Sequence, residues 1–344
     1  MKLYDFDFTL PTELIAQEPT PKRDQSRIMI LERSTGEITE DVFARLPSYL
    51  SEGDVLVLNN TWVIPARLQG KRESGGVIEI LLLSKSFSKN NQQWEALLKP
   101  GRRIKPGVRL YLEGGATAKI ITSLSEKKWL IEFDYAERFD KYMKSYGFAP
   151  LPPYIKRPRD TMPPHADKQR YQTIYACIPG SIAAPTAGLH FSDKVMHSLE
   201  RKGILTAYIT LHVGYGTFKP ITEQNVEDHQ MEKEFFEISR EAADRINEAR
   251  TVVAVGTTST RAIESALDQN GLVQPMAGET ELFVYPGYEF RRVNTLLTNF
   301  HLPKSSLFLL ACAFAGRERM MAAYHHAIKS RFRFYSYGDC MLII

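Results

Sequence analysis

Residues 66–135 form a series of short apolar, strand-length segments broken by glycine turns, and no helical period appears until 136–146. VIEILLLS follows Gly75-Gly76. VRLYLE lies between Pro106-Gly107 and Gly114-Gly115, and AKIITSL and WLIEF come after it. Strands this short and this close pair with one another, which predicts a small antiparallel barrel or sandwich. The chain on either side has a different period. DVLVL, from Asp54 to Leu58, is a buried-strand run. After Tyr171, strands and helices alternate. Ser192 can cap a helix with Val195 and Leu199 on one face, and ILTAYITL is a strand. Ser239 can cap a helix striped by Ala242, Ala243, Ile246 and Ala249, and TVVAV is a buried strand. Residues 260–269 read as a helix ended near Gly271, LFVYP and VNTLLTNF as strands, and 305–315 and 317–330 as helices after Pro303. This part is therefore α/β with some parallel strands. PLPPYIKRP, with Pro163 and Pro164 beyond it, resists helix and marks a boundary. Periodicity alone leaves open whether the β-rich stretch is an insertion or one of three successive domains.

Composition removes several classes. With 43% hydrophobic and 24% charged residues over 344 positions, a large core is expected and global disorder is not. No apolar run reaches the roughly 20 residues of a membrane span, and the start has no basic signal-peptide region. Cys177, Cys312 and Cys340 are odd in number and far apart, so neither a disulfide framework nor a zinc site is indicated and a cytoplasmic setting is expected. No H-E-x-x-H or G-x-S-x-G occurs, and His325 and His326 point about 100° apart on a helix, so no metal site is expected. The net charge of +4 permits a nucleic-acid partner without requiring one. Three basic groups stand out: Lys99, Arg102, Arg103, Lys105 and Arg109; Lys156, Arg157 and Arg159; and Arg317, Arg319, Lys329, Arg331 and Arg333. On one face they would form a phosphate track, and separately they are solvated surface.

Five segments depart from plain core or surface. AAPTAGLHF (183–191) is a tight loop with His190 before a helix start, suited either to an anion or to simple capping. LHVGYGTF (211–218) follows a strand, with His212 near its carboxyl end and Gly214 and Gly216 allowing close backbone approach; it lacks the third glycine of a dinucleotide fingerprint. VGTTSTRAIES (255–265) reads as strand, polar loop and helix. Thr257, Thr258, Ser259 and Arg261 would make it an anion cradle, although it is no P-loop. TNFHLPKSSL (298–307) places Asn299 and His301 at a strand end. FRFYSYGDCMLI (332–343) fits either an edge strand or an aromatic and basic grip on nucleic acid.

These segments, with LFVYPGYEF, AFAGRE and YSYGDCMLI, resemble the motif series of the S-adenosylmethionine:tRNA ribosyltransferase-isomerase family of queuosine biosynthesis. IAQEPTPKRDQSRIMIL, NNTWVIPARL, PLPPYIKR and RYQTIYA fit the same series, in order over nearly the whole chain. Trp62 stands where that family usually has a basic residue, and Glu232 where a second histidine is common. The resemblance implies a large mixed α/β domain built from both chain ends (1–62 and 148–344), interrupted by a small inserted antiparallel β-barrel (63–147). It implies transfer and isomerisation of the ribosyl part of S-adenosylmethionine onto 7-aminomethyl-7-deazaguanine at the tRNA wobble position. The products would be epoxyqueuosine-tRNA, adenine and methionine. S-adenosylmethionine is then a substrate, no cofactor is needed, tRNA is the partner, no membrane is involved, and a monomer is expected. That chemistry needs a base for the carbon beside the sulfonium, expected at His190 or His212. It also needs a proton for departing adenine, from His229, Glu281 or Asp339. Thr257, Thr258, Ser259 and Arg261 would hold the methionine carboxylate and Asn299 and His301 the ribose hydroxyls, with Thr186, Gly188, Gly214, Gly216 and Arg317 as further substrate contacts.

Overall fold

The computed structural model describes all residues except 86–91, 102–103, 136–138, 158–164 and 219. Arg102, Arg103 and Arg159 of the basic groups, Pro158, Pro163 and Pro164, and the first residues of the helix expected over 136–146 lie outside the described residues. The chain divides into two compact units. Residues 1–62, 152–156 and 172–344 form the larger, and 63–151 with 157–171 the smaller.

The larger unit is a nine-stranded mixed sheet. Its centre is four parallel strands side by side: Leu205–Leu211, Asp54–Asn59, Thr251–Val255 and Thr295–Asn299. Glu234–Ile238 and Met276–Thr280 extend one flank antiparallel. On the other flank Cys340–Ile343 runs antiparallel to Thr295–Asn299, followed by Arg27–Leu31 and Ile38–Val42. Every residue of Asp54–Asn59 and Thr295–Asn299 is buried, as strands covered on both faces must be. The period of two sends Val55 and Val57 into one core layer, with Ala242, Ala243 and Ile246 of helix Arg240–Glu248 and Leu309 and Phe308 of helix Ser306–Ala315. Leu56 and Leu58 point the other way, into a layer shared with Val195 and Leu199 of helix Asp193–Arg201. Ser192, Ser239 and Ser305 each accept a backbone N–H from the first turn of the helix they precede.

The smaller unit is a closed six-stranded antiparallel barrel. Going round it, the strands are Lys128–Asp134, Gln93–Lys99, Val77–Lys85, Arg67–Arg72, Arg109–Leu112 and Thr117–Ser123. Leu68, Ile78, Ile80, Leu110, Ile120 and Phe133 fill it, and helix Phe139–Tyr146 buries Tyr142 and Met143. Closure removes the exposed edges that so short a sheet would otherwise present. Among the described residues, no helix is long and apolar enough to cross a membrane.

Three expectations need correction. LFVYP forms no strand. The helix expected over 260–269 begins at Gly256 and ends at Ser265, so the expected polar loop is its first turn. Cys340–Ile343 is an internal strand, and Phe332 and Phe334 are fully buried, so FRFYSYGDCMLI is neither an edge nor a grip. Arg67–Arg72 and Gln93–Lys99 add two barrel strands to those named within the expected stretch 66–135.

Candidate active site at the carboxyl ends of the parallel strands

The four parallel strands end together at Leu211, Asn59, Val255 and Asn299, and the chain leaving three of them encloses a cavity of about 180 Å³. Ligands of open α/β sheets bind at this end. Its walls come from Pro185, Thr186 and Ala187, from Val213 and Thr217, from Gly256, Thr257 and Thr258, from Thr298, Asn299 and His301, and from Tyr154, Tyr335 and Ser336. The lining is mainly apolar with a few convergent polar groups, as small-molecule sites are.

Asn299 sets the polar floor. Its amide Nδ2 donates toward His190 Nε2 (3.1 Å), Tyr335 O (3.1 Å) and Asp339 O (3.3 Å). Three acceptors around that atom fix the amide orientation. They also fix the His190 tautomer: Nε2 accepts, so Nδ1 carries the proton and donates to Ser26 Oγ at 2.7 Å, while Ser26 Oγ donates to Arg23 O. Burial, with the Arg23 and Arg333 charges adding, pushes the imidazole pKa down to about 3, so the ring stays neutral. The remaining Asn299 oxygen, Oδ1, is buried and has no hydrogen-bond partner among the described residues, although Asn299 lines the cavity. A buried acceptor left in this state carries a desolvation cost that a donor brought to it would relieve.

His301 is on the lining. Its Nε2 lies 2.8 Å from Thr298 Oγ1, its backbone N–H donates to Tyr324 Oη, and burial pushes its pKa down to about 3. Across from it, helix Gly256–Ser265 opens with Gly256 at φ +89°, in the left-handed region that glycine permits. No side chain caps this helix, so its first N–H groups stand beside Thr257 and Thr258 at the cavity wall. The aromatic side is built by Tyr154 and Tyr335, whose ring centroids are 4.0 Å apart, with Tyr154 Oη 2.6 Å from Ser336 Oγ.

Thr186, Thr257, Thr258, Asn299 and His301 are thus brought together, and the other expected residues stand off the lining. Ser259 Oγ donates back to Val255 O, inside the helix. Arg261 is buried against Glu234, and its Nε donates to Leu282 O, so its charge is already matched. Glu234 Oε1 also accepts Gly214 N–H and Thr217 Oγ1, both at 2.8 Å, which ties the loop carrying Gly214 and Gly216 to Arg261. Gly188 is closed in: a Cβ there would lie 2.1 Å from Tyr175 Oη. His212 Nδ1 bonds Thr61 Oγ1 at 2.8 Å and its ring stacks on Phe235; burial lowers its pKa. His229 pairs with Glu223 at 3.0 Å, and Glu281 and Arg317 are exposed. The Asp339 carboxylate accepts the N–H groups of Arg27 and Arg333, with burial raising its pKa. Tyr154, Thr298, Tyr335, Ser336 and Glu234 carried no role in the sequence reading. Tyr154 and Tyr335 lie in PLPPYIKR and FRFYSYGD, but only the fold shows that these segments meet.

Fold and cavity together define a mixed α/β protein with a mainly apolar cavity at its strand ends. The chain belongs to the family described as "Queuosine biosynthesis protein", whose match covers residues 3–343, and it is an enzyme of the transferase class. An S-adenosylmethionine:tRNA ribosyltransferase-isomerase of Syntrophus aciditrophicus is 53% identical with all of both chains covered, and one of Carboxydothermus hydrogenoformans is 50% identical with the same coverage. The crystal structure of an S-adenosylmethionine tRNA ribosyltransferase from Thermotoga maritima is 34% identical, covering 99% of this chain and 100% of that one, with a TM-score of 0.56.

Proposed function

We propose that the chain transfers and isomerises the ribosyl part of S-adenosylmethionine onto the aminomethyl group of 7-aminomethyl-7-deazaguanine at the wobble position of tRNA. Epoxyqueuosine-tRNA forms, and adenine and methionine leave. The reading rests on one observation above others. A cavity with an anion-favouring helix start, an unpartnered acceptor and an aromatic wall lies at the strand ends of a chain whose full-length relatives bear that name.

The substrate's chemistry matches these features. The methionine carboxylate is an anion and suits the uncapped N-terminus of Gly256–Ser265 with Thr257 and Thr258. A ribose hydroxyl or the adenine amino group can donate to Asn299 Oδ1. The adenine ring has a face for Tyr335 and Tyr154. The base role expected at His190 or His212 passes to His301, the histidine on the lining. Burial keeps its ring neutral in the substrate-free chain. His190 becomes a positioning residue acting through Asn299.

Adenine release separates this reading from others. Release is expected only when S-adenosylmethionine and tRNA bearing the aminomethyl-deazaguanine are both present. His301→Gln should lower kcat by about two orders of magnitude or more. Full turnover by His301→Gln would remove the base assignment, and no tRNA-dependent release from a folded sample would remove the function.

A further inference from the structure

The charge of this chain is divided unevenly between its two units. The smaller holds 20 Lys and Arg against 11 Asp and Glu, a net +9, while the larger holds 24 against 29, a net −5. The mild overall +4 conceals a basic barrel joined to an acidic α/β unit. Charge of one sign gathered on one unit is the footprint of a polyanionic partner.

The strand register shows where that charge gathers. Arg109 stands directly opposite Lys119, and Tyr111 directly opposite Lys71. Their neighbours Leu110, Leu112, Ala118 and Ile120 fill the barrel, so the alternation turns Lys71, Arg109, Tyr111 and Lys119 outward, and all four are exposed. Lys105 is exposed on the turn leading into the Arg109–Leu112 strand. No side chain of these five makes a hydrogen bond or ion pair with another described residue. Glu132, opposite Lys119 on the far side, forms no pair with it. Like charges directly opposite across two strands repel, and no ion pair among the described residues holds Arg109 or Lys119. Tyr111 is 44% exposed, a large aromatic face in the middle of the cations.

We propose that this outer face of the barrel, built from Arg67–Arg72, Arg109–Leu112 and Thr117–Ser123, docks the tRNA substrate. Lys71, Arg109 and Lys119 contact backbone phosphates, and Tyr111 stacks on an unpaired base. The assignment rests on the tRNA reading above and adds the surface that carries it. The second basic group does not compete, because Arg157 is held by both oxygens of Asp167.

The test uses the full chain and a labelled RNA hairpin of the anticodon stem and loop, carrying the aminomethyl-deazaguanine. Arg109→Glu with Lys119→Glu is expected to weaken hairpin binding about tenfold or more. It should also make the slope of log Kd against log salt shallower by about one for each cation removed. S-adenosylmethionine binding by calorimetry should stay unchanged, which shows that the α/β unit is intact. The charge-preserving pair Arg109→Lys with Lys119→Arg should keep both affinity and slope. The assignment is overturned if charge reversal leaves affinity and slope as they were. It is also overturned if reversal weakens binding to phosphatidylserine vesicles but not to the hairpin. If the wild-type chain binds no hairpin, the proposed function falls as well. Intact binding and adenine release in the charge-reversed chain would remove the barrel assignment alone.

Discussion

Asn299 donates to three acceptors and receives nothing, so its free oxygen is the most informative single atom in the larger unit. His190 is prominent in sequence but stands behind the cavity lining, one hydrogen bond from it through Asn299. The chemistry implied by the family resemblance puts a base at His190 or His212, whereas His190 is 4% exposed with both ring nitrogens engaged. Burial of a side chain is a tertiary fact that local spacing does not carry. The same burial gives a prediction. His190 and His301 are held near pKa 3, well below the ordinary imidazole value, so in the folded chain they refuse a proton that the unfolded chain takes up. Stability is therefore full above about pH 6.5 and falls as pH drops toward about 3, by at most about 1.4 kcal/mol per pH unit for each imidazole. Urea midpoints measured across that window should show this slope, and His190→Gln should flatten part of it. A midpoint that rises on acidification would contradict the assignment.

At the scale of elements, period and capping were readable. DVLVL, TVVAV and TLLTN became buried parallel strands, and Ser192 and Ser239 became caps, because strand burial and first-turn donors leave local marks. RLQGKR escaped notice because a barrel strand buries only alternate positions, and the outward ones here are polar. The hydroxyls of GTTSTR read as a loop because they favour turns, whereas Ser259 and Thr260 bond back to carbonyls four residues earlier and remain in the helix. Glu234 had no signal at all. Its role depends on a strand pairing that brings it to Arg261, Gly214 and Thr217. Glu234→Ala leaves Arg261 buried without a counter-charge and should cost about 3–5 kcal/mol in urea unfolding. Glu234→Gln, which keeps an acceptor for Gly214 and Thr217, should cost less. Where either variant folds, the KM for S-adenosylmethionine should rise more than kcat falls, because Thr217 lines the cavity. An equal stability for wild type and Glu234→Ala would show that the pair holds nothing.

For the whole molecule, the sequence motifs pointed to the family and to a mixed α/β fold with an antiparallel barrel, and both stand. Of the expected substrate contacts, Thr186, Thr257, Thr258, Asn299 and His301 converge on one cavity, whereas Ser259, Arg261, Gly214, Gly216, Gly188 and Arg317 lie off its lining. The first group follows strands or precedes helices at the carboxyl edge of the sheet. In the second, the elements that would hold each residue elsewhere become visible only once the chain has folded. The division of charge, by contrast, was in the sequence throughout, but it becomes legible only when the boundaries of the two units are known.

The central claim is the reaction itself, and the mass of the wobble nucleoside tests it most directly. Purified chain, S-adenosylmethionine and tRNA carrying 7-aminomethyl-7-deazaguanine are incubated, the tRNA is digested, and the wobble nucleoside is weighed. The account predicts the heavier epoxycyclopentane nucleoside, formed in step with released adenine and methionine. An unchanged wobble nucleoside from folded protein that binds both substrates would contradict it.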